Sequence, residues 1–425
     1  MICDIYRGLK HLMRCQWESL RTEFRVRRCR RNYPIALDRV RGKVCRGEKL
    51  NVLFVVTEVT KWKTQSLYDA MEKSGRYKPM ICVSKPDAGR CASGDEGRVV
   101  EEGCAYFKDK GMHVEVVYDS ATGLGKSLRP FDPDIVFYQQ SWFAVKGQLP
   151  SDIANRALTC YIPYFVPNYG DLDLDCRQPL HRMLYLHIVL NESWGELFRR
   201  EMRHKLYAGT IVGLGHTMLD GITFDERCGD DKNCVIYAPH WTINPQHKPG
   251  NLSYSTFLWN GRQILEYAKS HREISWIFKP HPNLRSILTR FGVMTEREVN
   301  AYYSAWEKIG RVELSAGYER AFAESSAMIT DCGSFLTEYA ATGKPIIHLI
   351  SRENTHKPLA SSADLFATYY RVKDLGDMHA VFRKVLERRE DEMRQDRLAA
   401  LRECNLIGCN AAKNVVDYLL KDLAG

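Results

Sequence analysis

The sequence has no apolar run near the roughly 18 to 20 residues that span a bilayer, no low-complexity tract and no short-period repeat. Solenoid, collagen-like and disordered classes are thereby excluded. Met1 to Cys15 is broken by Asp4, Arg7, Lys10 and Arg14, so it lacks the apolar core of a secretory leader and a cytoplasmic location is expected. The fourteen cysteines are scattered, with no Cys-x-x-Cys pair and no Cys/His block at zinc-ligand spacing. They read as small buried side chains in a reducing compartment. No helix-turn-helix, zinc-finger or RNA-binding signature is present, so nucleic acid is not an expected partner.

What remains is the composition of a folded protein, 44% hydrophobic and 27% charged over 425 residues. That length suits two domains of about 150 to 200 residues. The net charge of +9 is concentrated in residues 1–49, where fourteen Lys or Arg face five Asp or Glu; the rest of the chain is neutral. This basic, partly amphipathic arm interleaves Trp17, Leu20 and Phe24 with Arg14, Arg21 and Arg25. Two readings fit it: a solvated helix packed on the body, or an interfacial helix on an anionic membrane surface, which would place the protein peripherally at the inner membrane face.

Beyond the arm, short β-branched runs alternate with helical stretches. Leu50–Thr57, Lys78–Val83, His113–Tyr118, Pro133–Tyr138 and Leu158–Tyr164 read as strands of a parallel sheet in a first domain, 50–205. The pattern restarts with Ala208–Gly213, Asn233–Ala238, Ser275–Lys279, Arg311–Leu314, Ala327–Thr330 and Pro345–Leu349 in a second domain, 206–376. Residues 377–425 read as amphipathic helices that cross back to the first domain. The fold expected is α/β, two Rossmann-like doubly wound domains facing a cleft, an architecture that resembles the GT-B glycosyltransferases.

Three strand ends in the second domain carry residues suited to phosphate. They are Ala238-Pro239-His240-Trp241-Thr242, Lys279-Pro280-His281-Pro282 and Thr330-Asp331-Cys332-Gly333-Ser334. In the last, a strand, a glycine turn and a helix would aim unpaired N–H groups and a positive dipole end at a diphosphate. An ordinary helix cap is the competing reading of Gly333 and Ser334. Lys279 and His281 each add a donor, and the flanking prolines fix their turn. Donor phosphate is therefore assigned to Lys279, His281, Thr330, Gly333 and Ser334, with Lys279, His281 and His240 as the catalytic candidates. Glu338, one helical turn beyond Ser334, is placed to accept ribose hydroxyls, and Pro239 and Trp241 are grouped with it as ribose- and base-binding.

The order strand-Lys-Pro-His-Pro, then strand-Thr-Asp-x-x-Ser and a helix running into Gly343-Lys344-Pro345-Ile346-Ile347, resembles the CDP-glycerol glycerophosphotransferase family of teichoic-acid and capsule synthesis. The likeness covers Gly209 to Leu349, with a looser match at Gly213 to Asp220. It implies that His281 and Ser334 bind the donor's phosphates and that Glu338 holds the ribose. It further implies transfer of a polyol phosphate from a CDP-linked donor to a polysaccharide or lipid-linked acceptor of the cell envelope, with no cofactor and no metal required.

One departure matters. The family's Gly-His-Gly-Thr motif, whose histidine acts as general base, corresponds here to Tyr161 to Asn168, which contains no histidine. A base of near-neutral pKa is typically worth about a hundredfold to ten-thousandfold in rate. Tyr164, Asp171, His181 and His187 are the candidate substitutes. The gap keeps open a glycosyltransferase or epimerase using a nucleotide sugar, which leans on cations and dipoles instead, and a non-catalytic nucleotide-binding scaffold. Asp171, Asp173 and Asp175 have a metal-chelating spacing but read as solvated loop acids. Gly125-Lys126-Ser127 lacks the upstream glycine of a P-loop, since position 120 is Ser. His240 and His247 match no standard metal-site spacing.

Overall fold

A computed structural model describes residues 2–86, 96–166, 178–226, 232–245, 253–315, 317–351 and 358–424. The chain forms two compact units: Met1–Phe165, Leu172–Met218 and Asn410–Gly425 in the first, Val166–Asp171 and Leu219–Cys409 in the second.

The first unit is built on a parallel seven-stranded sheet. Its strands are β1 (Leu50–Val56), β2 (Tyr77–Val83), β3 (Val114–Val116), β6 (Ile135–Tyr138), β7 (Leu158–Tyr161), β8 (Leu186–Val189) and β9 (Thr210–Gly213), in the order β3-β2-β1-β6-β7-β8-β9. A small antiparallel hairpin, β4 (Tyr118–Asp119) with β5 (Leu124–Gly125), stands apart from it. β1 is apolar on both faces because both are packed, Val52, Phe54 and Val56 in one core cluster and Leu53 and Val55 in another; it also pairs on both edges, placing Phe54 beside Ile81 and Phe137. The Phe54 ring stacks on Phe137 at 5.0 Å and meets Trp62 edge-on at 5.6 Å.

Both ends of the chain are knitted into this unit. The N-terminal arm is one helix, Ile2–Cys45. Its Val26, Cys29, Tyr33, Ala36 and Val40 recur at alternating three- and four-residue spacing and are buried in the core, the stripe a helix needs to lie on a sheet. Tyr33 donates to the Met183 carbonyl at 2.5 Å, and Arg39 and Lys43 hold the fully buried Asp134 at 2.9 and 3.0 Å. The last helix, Ala411–Ala424, adds Val415, Leu419 and Leu423 to the same core.

The second unit carries a parallel six-stranded sheet of β10 (Cys234–Ala238), β11 (Ser275–Phe278), β12 (Arg311–Val312), β13 (Ala327–Thr330), β14 (Ile346–Leu349) and β15 (Tyr370–Val372), ordered β12-β11-β10-β13-β14-β15. Its core is aromatic: Phe278 stacks on Trp306 at 4.9 Å, and Tyr237 lies 5.8 Å from Phe278.

Several sequence readings need correcting. The run containing β9 reads as the opening strand of the second half, but β9 pairs with β8 and edges the first sheet. β8 does not stand out in the sequence, because Leu186-His187-Ile188-Val189 is interrupted by a histidine. Of the C-terminal helices only Ala411–Ala424 belongs to the first unit; Arg394–Glu403 stays with the second. Gly125, of the Gly-Lys-Ser triplet that lacks a P-loop's upstream glycine, ends the β4–β5 hairpin, and a single 3-10 turn, Arg129–Phe131, follows it.

Three buried imidazoles give the fold a pH dependence. Burial pushes the pKa of His216 and of His348 down to about 3, and that of His187 well below its ordinary value. In the unfolded chain each titrates near 6.5, so below that pH the unfolded state takes up protons that the folded state refuses. Stability is thus full above about pH 6.5 and falls with pH, by roughly 1 kcal/mol per unit per histidine until the folded pKa is reached. Denaturant midpoints at about pH 7.5 and about pH 5.5 are expected to show this loss, with His187→Phe reducing it.

Candidate functional site

In each sheet the strand order reverses once, beside β1 in the first unit and beside β10 in the second. At such a reversal the loops leaving two neighbouring strands diverge to opposite faces and open a crevice at the strands' carboxyl ends. In the second unit the crevice lies between β10 and β13.

The side chain that organises it is Asp331, directly after β13 and 3% exposed. One carboxylate oxygen accepts the His240 N–H at 2.6 Å. The other accepts the N–H and the hydroxyl of Thr256 at 2.6 and 2.7 Å. Burial pushes the Asp331 pKa up to about 6, and the bonds it accepts act in the opposite direction. Next to it, the Thr330 hydroxyl donates to the Ala238 carbonyl at 2.7 Å and accepts the Cys332 N–H at 2.9 Å. The end of β10, the start of helix Phe257–Ser270 and the turn into helix Gly333–Ala340 are thereby fixed together.

Half-buried groups line the crevice held in this way. The His281 N–H bonds the Pro239 carbonyl at 3.0 Å, which sets the Lys-Pro-His-Pro turn against the end of β10. The rings of His240 and His281 stand 5.2 Å apart, and Trp241 lies 5.8 Å from His281. His281 Nδ1 accepts the Asn283 N–H at 3.1 Å, so the neutral ring carries its proton on Nε2. His240 Nδ1 accepts the Thr242 N–H and lies 2.8 Å from the Thr242 hydroxyl, giving the same tautomer. Gly333 and Ser334 open helix Gly333–Ala340 with no side-chain cap on its Cys332 N-cap. Two imidazole N–H donors, a serine hydroxyl and a helix N-terminus suit an anionic, oxygen-rich group.

Two assigned residues sit deeper. Lys279 is 6% exposed, and its ammonium donates to the carbonyls of Ser315 and Gly317 at 2.9 and 3.0 Å. It ties β11 to the loop after β12, and this geometry gives it the part of a positioning residue. Glu338 is 1% exposed, and one of its oxygens, Oε2, has no hydrogen-bond partner among the described residues; burial first, and then Glu338, push the pKa of Tyr318 up. Pro239 is buried at the strand end. Beside the Asp331 anchor, a cavity of about 650 Å³ is lined by Asn244, Ser255, Trp259, Ser351 and Lys373. In the sequence Asp331 stands within a motif and Thr256 outside any, and no local pattern links Asp331 to Thr256 or His240, which lie 75 and 91 positions away.

The first unit has its own polar strand ends. Thr57 donates to Gln140 at 2.6 Å, and Gln139 accepts the Lys63 N–H at 2.8 Å. Lys61 is buried, bonded to Glu58 at 2.5 Å and set over the rings of Trp142 and Tyr164. The candidate bases fare differently. His181 and His187 form a stacked pair 4.7 Å apart, walled by Tyr161 and Phe198 and no more than 3% exposed, so neither reaches a substrate hydroxyl. Tyr164 is half-buried against Trp142. His216, unremarked in the sequence, packs against the backbone of Pro163 and Phe165 but is sealed at 2% exposure. Asp171, Asp173, Asp175 and His247 lie outside the described residues. Among the described residues no cluster of three or more His, Cys, Asp or Glu is placed to hold a metal.

The two doubly wound halves place the fold in the GT-B-like class. No protein-family model matches the chain, and no curated protein matches it in sequence. Similar solved structures include the wall teichoic acid polymerase TagF soaked with CDPG, 11% identical, covering 88% of this chain and 88% of that chain with a TM-score of 0.55. Another is the UDP-GlcNAc 2-epimerase from Neisseria meningitidis bound to UDP-GlcNAc, 14% identical, covering 88% and 100%, TM-score 0.51. A third is the S. aureus MnaA–UDP co-structure, 11% identical, covering 87% and 96%, TM-score 0.50. At these identities the likeness is one of fold.

Asp331→Asn is expected to lower folding stability by roughly 1 to 3 kcal/mol, because the amide turns an N–H group towards donors that then lose their acceptor. A shift in the denaturant midpoint measures it.

Proposed function

We propose that the protein is a transferase whose second unit holds the diphosphate of a nucleotide-linked donor in the crevice between β10 and β13. What supports this reading is the buried Asp331 carboxylate at the strand-order reversal: it holds the His240 N–H, His281 follows through the Pro239 carbonyl, and Ser334 stands in the first turn of the helix that begins two residues after Asp331. Pro239 and Trp241 flank the base or ribose; Glu338, at 1% exposure, is as sealed as the excluded histidines and takes no substrate contact. The cavity beside Ser255 takes the group beyond the diphosphate.

The donor is CDP-linked and the transferred group a polyol phosphate. The motif likeness supports this, and the fold shared with the teichoic acid polymerase is compatible with it. An acceptor hydroxyl bonds to the distal phosphorus, the phosphoanhydride bond to that phosphorus breaks, cytidine monophosphate leaves with the bond's electron pair, and the hydroxyl proton passes to water or to that departing phosphate. Charge gathers on the departing phosphate, where His281 Nε2, Ser334 and the helix dipole are placed to meet it. These groups carry out the electrostatic work without a metal. The first unit handles the acceptor, a cell-envelope polysaccharide or lipid-linked chain at the cytoplasmic face.

A second reading, a glycosyltransferase or epimerase acting on a nucleotide sugar, is favoured by the sealed state of His181, His187 and His216, which leaves the family's base without a replacement among them.

Calorimetry and thermal shift with CDP-glycerol, CDP, UDP and UDP-GlcNAc distinguish the two. Selective stabilisation by cytidine diphosphates is expected; selective response to uridine ligands moves the protein to the second reading, and no response to any of them overturns both. His281→Ala and Ser334→Ala are each expected to weaken donor binding on the order of ten- to a hundredfold with the melting temperature nearly unchanged. Unfolding of both variants would show these residues to be structural.

A further inference from the structure

The N-terminal helix carries two apolar stripes on opposite sides. One, Val26 to Val40, is buried against the first unit. The other is Met13, Trp17, Leu20 and Phe24, whose side chains are 68%, 66%, 65% and 68% exposed. At 3.6 residues per turn these four fall within about 60° of one another and about 180° from the buried stripe. The body of the protein cannot cover both.

The border of the exposed stripe is cationic. Arg27 and Arg28 lie about 50° to either side of it and Arg21 about 70°, and Arg31 continues it towards the C-terminus; all four side chains are exposed. The two acids of this stretch, Glu18 and Glu23, project about 90° or more away, and Glu23 is turned to the body, where it pairs with Arg182. An apolar ridge bordered by arginines complements a surface that offers acyl chains under negative headgroups. A second copy of the helix would bring Arg21 and Arg28 against their own counterparts, and a nucleic acid would leave four large apolar side chains in water.

We infer that this face of the helix docks the protein on an anionic phospholipid surface, with Trp17, Leu20 and Phe24 entering the headgroup–acyl boundary and Arg21, Arg27 and Arg28 contacting the lipid phosphates. The inference rests on the helix alone and is independent of the reaction assigned to the second unit.

The test is co-sedimentation of the full chain with vesicles of phosphatidylcholine, and of phosphatidylcholine mixed with phosphatidylglycerol. Binding is expected to the mixed vesicles and to weaken as salt is raised. Arg21→Glu, Arg27→Glu and Arg28→Glu combined are expected to lower partitioning on the order of a hundredfold or more, at about fivefold for each positive charge removed. Trp17→Ser with Phe24→Ser is expected to abolish binding, and the melting temperature of both variants to match that of the parent, since the altered side chains are exposed. Equal binding to neutral vesicles, no binding to either, or charge-reversed variants that bind as well as the parent would each overturn the proposal. So would a concentration-dependent dimer in sedimentation velocity that is lost with Trp17→Ser and Phe24→Ser while vesicles are ignored.

Discussion

A single buried anion governs the architecture of the donor half. Asp331 sits where two loops leave the sheet in opposite directions, the point at which a doubly wound fold is least tied together by strand pairing. Its two oxygens accept from His240 and from both donors of Thr256, so the direction of the loop after β10 and the origin of helix Phe257–Ser270 are set by one side chain. The remaining parts follow. His281 is placed by the carbonyl next to His240, the helix from Gly333 begins two residues after the anchor, and Lys279 is drawn inward to loop carbonyls on the far side of β11. A carboxylate held this way is occupied with structure, which leaves the surface of the crevice to neutral and positive groups.

The first unit ties the same topological weak point with neutral groups, a Thr57 hydroxyl on a Gln140 amide. A lysine paired with Glu58, Lys61, lines the same small pocket as Thr57 and Gln140, while Asp134 beneath Arg39 and Lys43 lies at the opposite end of the strands. The two halves therefore repeat a backbone plan with different chemistry at the crevice, imidazoles and a helix N-terminus in one and amides, a hydroxyl, a paired lysine and aromatic rings in the other.

The sheet strands of five or more apolar residues were legible in the sequence, because burial on both faces leaves a run that little else produces. β1, β2 and β10 are of this kind. Four-residue strands that open on an unbroken apolar run, such as β13 and β14, are legible too, whereas β8 carries His187 at its second position and β15 alternates around Arg371, so neither stands out from a loop. Partnership was also hidden, since the four residues of β9 do not say which sheet they will edge. At the candidate site the motif residues were found, but the fate of Lys279 was not, because a lysine after a strand looks identical whether its ammonium faces a ligand or a carbonyl. Asp331 was passed over for the opposite reason. Its importance lies in three donors distant in sequence, and no local pattern announces them.

The arrangement of the two chain ends bears on how the molecule is made. Cores of β1, β2 and the N-terminal helix are complete only when Val415, Leu419 and Leu423 arrive, whereas nearly all of the second unit, Leu219 to Cys409, is continuous in sequence. During synthesis from the N-terminus, the half that emerges first must wait with an unfilled groove while the half that emerges second can already fold. The order of completion is the reverse of the order of translation, and the interval in between, nearly half of the polypeptide long, is when the first sheet's apolar groove is open to chaperones and to misassociation.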